Sequence, residues 1–96
     1  MYKILLVEDD MALHYVYKKM KIWSENDFCI SKIASNGKEA LEILENDEFD
    51  MVVTDIRMPV LDGIGLLKKM SEKKIDIYTI ILSSYDEFEY ARQAMI

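Results

Sequence analysis

A chain of 96 residues is long enough for one small domain and leaves no room for a second. Its composition, 51% hydrophobic and 31% charged, excludes an intrinsically disordered chain. Because the net charge is −6 and no segment concentrates Lys and Arg, the sequence also disfavours direct binding of nucleic acid.

The sequence indicates where the protein works. Its single cysteine, Cys29, has no partner within the chain, so an internal disulfide is excluded and a reducing compartment fits. The N-terminal residues are too acidic for a signal peptide, and no run approaches the roughly 20 apolar residues that a membrane span needs. We therefore expect a cytoplasmic protein without membrane contact.

Apolar runs and helical periodicity alternate along the first half of the chain. Residues 2–7 form a short aliphatic run that predicts a strand buried on both faces. Apolar residues at helical spacing predict a helix over residues 10–23, and His14, beside its apolar face, is interpreted as an exposed residue rather than a ligand or phosphate carrier. A second strand is predicted at residues 28–34, and Asn36 is expected to cap a helix that ends near Asn46.

The same alternation continues in the second half of the chain. Residues 49–54 predict a third strand, and a helix over residues 63–73 follows, with Asp62 as its N-cap and Gly63 permitting tight geometry. Residues 75–82 predict a fourth strand, and a last helical segment comes after it. This alternation predicts an α/β fold, in which a parallel sheet is covered by helices on both faces through right-handed crossovers.

In an open α/β sheet, ligands bind at the carboxyl ends of the strands. Four polar side chains are predicted to meet there: Glu8 and Asp9 after the first strand, Asp55 after the third and Ser83 after the fourth. Three carboxylates so close together would raise one another's pKa unless a cation neutralised them. Mg²⁺ suits such a site because it prefers oxygen ligands and leaves coordination positions for a phosphate oxygen.

Asp55 is the acid best placed to act as a nucleophile. It follows a buried strand and projects from that rigid element into a loop. With Mg²⁺ bound, its carboxylate can form an acyl phosphate while the metal and the Ser83 hydroxyl stabilise the transferring group. Taken singly, an acidic pair after a strand is usually a solvated turn or helix N-terminus, Asp55 is often a cap and Ser83 is often a turn residue. Their joint placement therefore carries the prediction.

Three ordered motifs resemble the receiver domains of bacterial response regulators. They read ILLVEDD at residues 4–10, VTDIRMP at residues 53–59 with Asp62-Gly63 behind it, and IILSS at residues 80–84. The resemblance covers the whole chain. It implies phosphorelay signalling in a two-component system, in which a sensor histidine kinase donates a phosphoryl group and the receiver then controls an output domain.

The resemblance also implies the role of each site residue. Asp55 is the phosphoacceptor, and Ser83 is the switch hydroxyl. Glu8 and Asp9 are the metal-binding acids, and the backbone carbonyl of Arg57 joins them and Asp55 as a ligand of Mg²⁺. Such a domain is a phosphoacceptor and not an enzyme, with self-phosphorylation and slow autodephosphorylation only.

The family fold is a flavodoxin-like, doubly wound parallel sheet, which implies the strand order 2-1-3-4 for the four predicted strands. Family members continue into a fifth strand, a lysine that contacts the phosphoryl group and a fifth helix, so we expect residues 1–96 to form an incomplete receiver domain. The open edge of the fourth strand then predicts a homodimer. Residues 85–91 further resemble receivers joined to an AraC-type DNA-binding domain, which this sequence does not include.

Two other classes of protein fit less well. A haloacid-dehalogenase-like phosphatase also has a nucleophilic Asp after a buried strand, but it needs a second Asp two residues later, where Arg57 stands. Dinucleotide binding needs a glycine-rich loop after the first strand, where acids stand. The alternative that remains open is a receiver-like protein-binding module without phosphoryl turnover.

Overall fold

The computed structural model describes residues 1–82, in which four parallel strands form one sheet. The strands are β1 Tyr2–Val7, β2 Phe28–Ala34, β3 Met51–Asp55 and β4 Tyr78–Leu82. Their order in the sheet is β2-β1-β3-β4, which confirms the flavodoxin-like arrangement predicted for them. The predictions for Ser83 and for the last helical segment lie outside the described residues.

Four helices connect the described strands, and one sequence prediction needs correction. They are α1 Met11–Lys19, α2 Lys21–Glu25, α3 Gly37–Asn46 and α4 Gly63–Glu72. The single helix predicted over residues 10–23 is wrong, because the chain is extended at Met20. There the Tyr17 carbonyl accepts hydrogen bonds from the Met20 N–H at 3.2 Å and from Trp23 Nε1 at 2.8 Å. Within residues 1–82, no helix has the length and apolar character needed to cross a membrane.

Two strands begin later than the apolar runs of the sequence suggest. β3 begins two residues later and β4 three residues later than predicted. Phe49, Ile75 and Ile77 instead pack against the core from loops. An apolar run indicates burial whichever backbone carries it, so the prediction placed the residues in the core correctly but extended the strands too far.

The sheet separates two apolar layers. Side chains alternate along β1, so that Leu5 and Val7 face one layer while Ile4 and Leu6 face the other. The first layer also contains buried residues of α3 and α4, namely Ala40, Leu44, Leu66 and Met70. The second is covered by Tyr17 of α1 and Trp23 of α2. Helices therefore cover both faces, as the sequence predicts.

Side-chain caps fix the start of the longer helices. The Asn36 Oδ1 atom accepts a backbone N–H of α3 at 2.8 Å, and the Asp62 Oδ1 atom accepts one of α4 at 2.8 Å, which confirms both predicted caps. Asp10 caps α1 in the same way. Because α1 and α4 follow β1 and β3, the caps Asp10 and Asp62 lie beyond the carboxyl ends of these strands.

The pairing between β1 and β2 contains an irregularity. It passes from Ile30 directly to Lys32 and leaves Ser31 without a partner in β1, which makes Ser31 a β-bulge. Beyond the bulge, Ile33 packs in the same apolar layer as Ile30, although the two lie three residues apart.

Candidate functional site

The carboxyl ends of β1 and β3 lie side by side. The two strands pair up to Val7 and Thr54, so the residues that follow these positions are neighbours in space. Glu8 is the first residue after β1, and Asp55 is the last residue of β3. The sheet topology therefore brings together acids that lie far apart in the sequence.

Three carboxylates meet at this edge of the sheet and form an acidic cluster. Glu8, Asp9 and Asp55 each offer one oxygen atom, and these oxygens lie within 4.8 Å of one another. Glu8 is buried at 2% exposure, Asp55 is half-buried, and Asp9 is exposed. The acidic cluster thus has one side within the protein and one side open to solvent, from which a ligand can approach.

The charged form of Glu8 is unfavourable in this cluster. Burial raises the pKa of Glu8 to about 8, and the Asp55 carboxylate adds to the rise through charge repulsion and a side-chain hydrogen bond. The Asp9 backbone N–H donates to Glu8 Oε2 at 3.0 Å and lowers the pKa in part. Without a cation, burial and the Asp55 carboxylate therefore favour the protonated form of Glu8.

The acidic cluster has the donor set of a site for a hard divalent cation. All three side chains offer oxygen, and protein sites for Mg²⁺ commonly combine one or two carboxylates with several waters. A divalent charge also favours the ionised form of Glu8 that burial opposes. The residues present therefore fit Mg²⁺, and the open side of the cluster leaves space for water or a phosphate oxygen.

Asp55 is held by its neighbours in the chain and by the start of α4. Its Oδ1 atom accepts a hydrogen bond from the Ile56 N–H at 2.8 Å, and its carbonyl oxygen accepts one from Thr54 Oγ1 at 2.9 Å. Gly63 lies so close to that carbonyl oxygen that a Cβ atom would overlap it. The Asp55 carboxylate therefore projects from a backbone whose position is tightly set.

The roles of two predicted site residues, Arg57 and Ser83, stay predictions. Arg57 lies two residues beyond Asp55 in the β3–α4 loop with an exposed side chain, and the role of its backbone carbonyl stays a prediction. Ser83 lies outside the described residues. Leu82, which precedes it, pairs with Asp55 between β4 and β3.

Two contacts of the folded chain are not predicted by the sequence. His14 was expected to be exposed, but it is half-buried, and its Nε2 atom donates a hydrogen bond to the backbone carbonyl oxygen of Glu8. The Gly37 N–H donates to the Leu61 carbonyl at 2.8 Å, which ties the β3–α4 loop to α3. Both contacts involve a backbone carbonyl whose position only the folded chain defines, so no sequence motif marks them.

Comparison with known proteins agrees with this arrangement. The family model of the response regulator receiver domain matches residues 4–96. The chain belongs to the response regulator receiver domain family. This receiver domain is therefore a phosphoacceptor module of phosphorelay signalling, as the three sequence motifs imply.

Curated relatives of the receiver domain are longer proteins. A response regulatory protein of Staphylococcus epidermidis is 38% identical over 92 residues, which are 96% of this chain and 36% of that protein. The transcriptional regulatory protein YesN of Bacillus subtilis is 37% identical over 95 residues, which are 99% of this chain and 26% of that protein. The receiver domain thus spans a minor part of the length of these relatives.

A solved structure supports the assignment of the fold. The REC domain of AraT, a response regulator from Geobacillus stearothermophilus, matches with a TM-score of 0.83 and 31% sequence identity. The match covers 98% of this chain and 73% of that chain. It confirms the fold class predicted from the sequence.

Proposed function

We propose that Asp55 accepts the phosphoryl group of this receiver domain from the phosphohistidine of a sensor histidine kinase. The observation that supports this assignment is the acidic cluster, in which Asp55 ends a buried strand beside Glu8 and Asp9. A carboxylate oxygen of Asp55 attacks the phosphorus atom, the bond from phosphorus to the histidine nitrogen breaks, and an acyl phosphate forms on Asp55.

Mg²⁺ is the cofactor of this proposal, with Glu8, Asp9, Asp55 and the backbone carbonyl of Arg57 as its protein ligands. When bound, it neutralises charge on the phosphoryl oxygens during transfer. The chain itself orients the nucleophile, because the Ile56 N–H holds Oδ1 of Asp55 and so fixes the rotation of the carboxylate. We assign to the Ser83 hydroxyl the donation of a hydrogen bond to a phosphoryl oxygen.

The proposal extends to the response that follows phosphorylation. The acyl phosphate favours a second conformation of the domain, which controls an output domain. The name of the relative YesN, a transcriptional regulatory protein, supports a DNA-binding output domain. The resemblance of residues 85–91 to receivers joined to an AraC-type domain suggests the type of that output domain. With a net charge of −6, the receiver domain itself contacts protein partners rather than nucleic acid, and it works in the cytoplasm. It returns to its resting state by slow hydrolysis of its own acyl phosphate, without turning over a separate substrate.

Covalent labelling by a small phosphodonor tests the phosphoacceptor. The protein is incubated with acetyl phosphate and Mg²⁺, and its intact mass is compared with that of an Asp55→Asn variant. We expect one phosphoryl group on the wild type, none on the variant, and none after EDTA removes Mg²⁺. Labelling of the variant would contradict the assignment of Asp55. A folded wild type that binds Mg²⁺ but stays unlabelled would favour a protein-binding module without phosphoryl turnover.

We also propose that two copies associate through β4. Within residues 1–82 no strand pairs with the outer side of β4, and Tyr78 and Ile80 are 83% and 41% exposed. The unpaired backbone groups of an edge strand can pair with a second chain. Analytical ultracentrifugation should give a dimer for the wild type and a monomer for Ile80→Lys. A monomeric wild type at high concentration would refute this association.

A further inference from the structure

Glu8 is held by hydrogen bonds from three separate parts of the chain. Its N–H donates to the Ala34 carbonyl of β2 at 2.9 Å. Its Oε2 atom accepts a hydrogen bond from the Asp9 N–H at 3.0 Å, within the turn that follows β1. Its carbonyl oxygen accepts a hydrogen bond from His14 Nε2 of α1. The position of Glu8 therefore depends on β2 and α1 as well as on its own strand.

His14 makes its contact from the first turns of a capped helix. Asp10 caps α1, and the His14 N–H donates to the Asp10 carbonyl at 3.1 Å, so the half-buried imidazole is carried by regular helix. Its acceptor, the Glu8 carbonyl, belongs to the peptide group that joins Glu8 to Asp9. The imidazole is thus bonded to the peptide between two of the acids of the cluster.

We infer that His14 is a positioning residue for the acidic cluster, which holds the Glu8–Asp9 peptide in the orientation that lets both carboxylates bind one cation. The inference rests on the proposed function, because the cation is the Mg²⁺ of that proposal. His14 acts only through Glu8 and Asp9, since its contact is to the backbone of the first of them. Groups that orient metal ligands typically change metal affinity about 10- to 100-fold when they are lost.

A matched pair of variants separates the hydrogen bond from the packing of the side chain. His14→Gln keeps an N–H donor, whereas His14→Met fills a similar space without one. Val16→Ala, at an exposed position of the same helix, controls for general effects on α1. The dissociation constant of Mg²⁺ is measured by isothermal titration calorimetry, and the initial rate of labelling by acetyl phosphate is measured at saturating Mg²⁺.

We expect His14→Met to weaken Mg²⁺ binding about 10-fold and His14→Gln to stay within about 3-fold of the wild type. Val16→Ala should bind Mg²⁺ as the wild type does. At saturating Mg²⁺, the labelling rate of His14→Met should recover, because the defect lies in the affinity for the metal. A merely structural role would instead lower thermal stability without Mg²⁺, and equally in the Gln and Met variants.

The two proposals fail in different ways. If His14→Met binds Mg²⁺ as tightly as a wild type that is labelled normally, the role of His14 is overturned while the proposed function stands. If His14→Gln is as weak as His14→Met, the donor is not what matters, and the inference is overturned as well. A folded wild type that neither binds Mg²⁺ nor becomes labelled contradicts both.

Discussion

Glu8 is a buried residue that also belongs to the acidic cluster at the edge of the sheet. It follows the buried strand β1 directly, is 2% exposed and lies within the same cluster as Asp55. Burying a carboxylate without compensation is unfavourable for its charged form. A cation that binds the cluster would relieve this penalty. Ionisation of Glu8 is therefore expected to be coupled to metal binding.

The pH dependence of folding stability should report on Glu8. Its pKa is raised from 4.5 to about 8 in the folded chain, first by burial and then by Asp55, so the stability it contributes is fully present below about pH 4.5 and is lost as the pH rises through 8. In EDTA, the free energy of unfolding of the wild type should therefore fall relative to Glu8→Gln across this window. Urea titrations at several pH values measure both.

A control variant makes that comparison specific. Glu42→Gln, at an exposed position of α3, should keep the wild-type pH dependence because its side chain is not among the groups that act on Glu8. The same slope in Glu8→Gln and the wild type would contradict the raised pKa.

The sequence predicts where a single residue lies when the residue stands at the end of a predicted strand. Glu8 and Asp55 were placed correctly because a residue after a buried parallel strand has only one edge of the sheet at which to lie. His14 was misjudged, because its neighbours along α1 suggest only the side of the helix, whereas its partner is a carbonyl of another segment. The caps Asn36 and Asp62 were predicted, since a cap is decided within a few residues of the chain.

The β3–α4 loop contacts the end of β3 and the start of α3. Gly63 approaches the Asp55 carbonyl, and the Leu61 carbonyl accepts the N–H of Gly37. Within the same loop, the Leu61 N–H donates to the Pro59 carbonyl at 2.9 Å and closes a three-residue turn around Val60. Val60 has φ 72°, a conformation that is strained for a β-branched residue.

Two glycines of α4 should respond differently to the same substitution. In Gly63→Ala the new Cβ meets backbone atoms of Asp55 and Ile56, which cannot move aside easily, so we expect destabilisation of about 1–3 kcal/mol. In Gly65→Ala the new Cβ meets the end of the Leu61 side chain, which can shift, and alanine favours the helix by about 1 kcal/mol. Equilibrium denaturation of both variants in urea tests this difference. Equal loss of stability would show that backbone overlap at Gly63 is not the cause.

Relief of strain at Val60 should stabilise the domain. The side chain is 77% exposed, so its removal costs little packing, whereas a strained backbone residue costs about 1–3 kcal/mol. Val60→Gly should therefore raise the free energy of unfolding by about 1 kcal/mol after the entropy cost of glycine is subtracted. Thermal and urea unfolding measure the change. Val60→Ala, which removes the branch but keeps a Cβ, should recover less, and a destabilised Val60→Gly would argue against strain at this turn.

The boundaries of the elements were predicted less well than their order. Order follows from alternating periodicities, which are properties of the sequence alone. The break at Met20 depends on the indole of Trp23 reaching back to the Tyr17 carbonyl, and the late start of β4 depends on Ile75 and Ile77 packing from a loop. Both are tertiary contacts, which local periodicity does not encode.

Apolar layers, rather than surface ion pairs, hold the described part of the molecule together. The ion pair between Lys73 of the α4 C-terminus and Glu45 of α3 has a distance of 2.8 Å, but the two side chains are 46% and 41% exposed. Exposed pairs of this kind contribute little to stability, because water and salt screen the two charges. The acidic cluster differs from them, because the burial of Glu8 reduces solvent screening there.

Mg²⁺ should therefore stabilise the domain as a whole. At about 100 times its dissociation constant, a ligand that binds only the folded state adds about 2.7 kcal/mol, which corresponds to a rise in Tm of about 10–20 °C for a domain of this size. Differential scanning calorimetry at constant ionic strength measures the rise. It should be much smaller for Asp55→Asn, which has lost one carboxylate of the cluster, and an equal rise in NaCl alone would contradict specific binding.

Because Ser31 forms a bulge, β2 contains one residue that does not pair with β1. The pairs before it and after it, Ile4 with Ile30 and Leu5 with Lys32, are the pairs that an uninterrupted strand without Ser31 would make. Deleting Ser31 would therefore leave every inward side chain of β2 on its present face and the Ala34 carbonyl opposite Glu8. Loss of this one residue should therefore shorten β2 while the core and the acidic cluster keep their geometry.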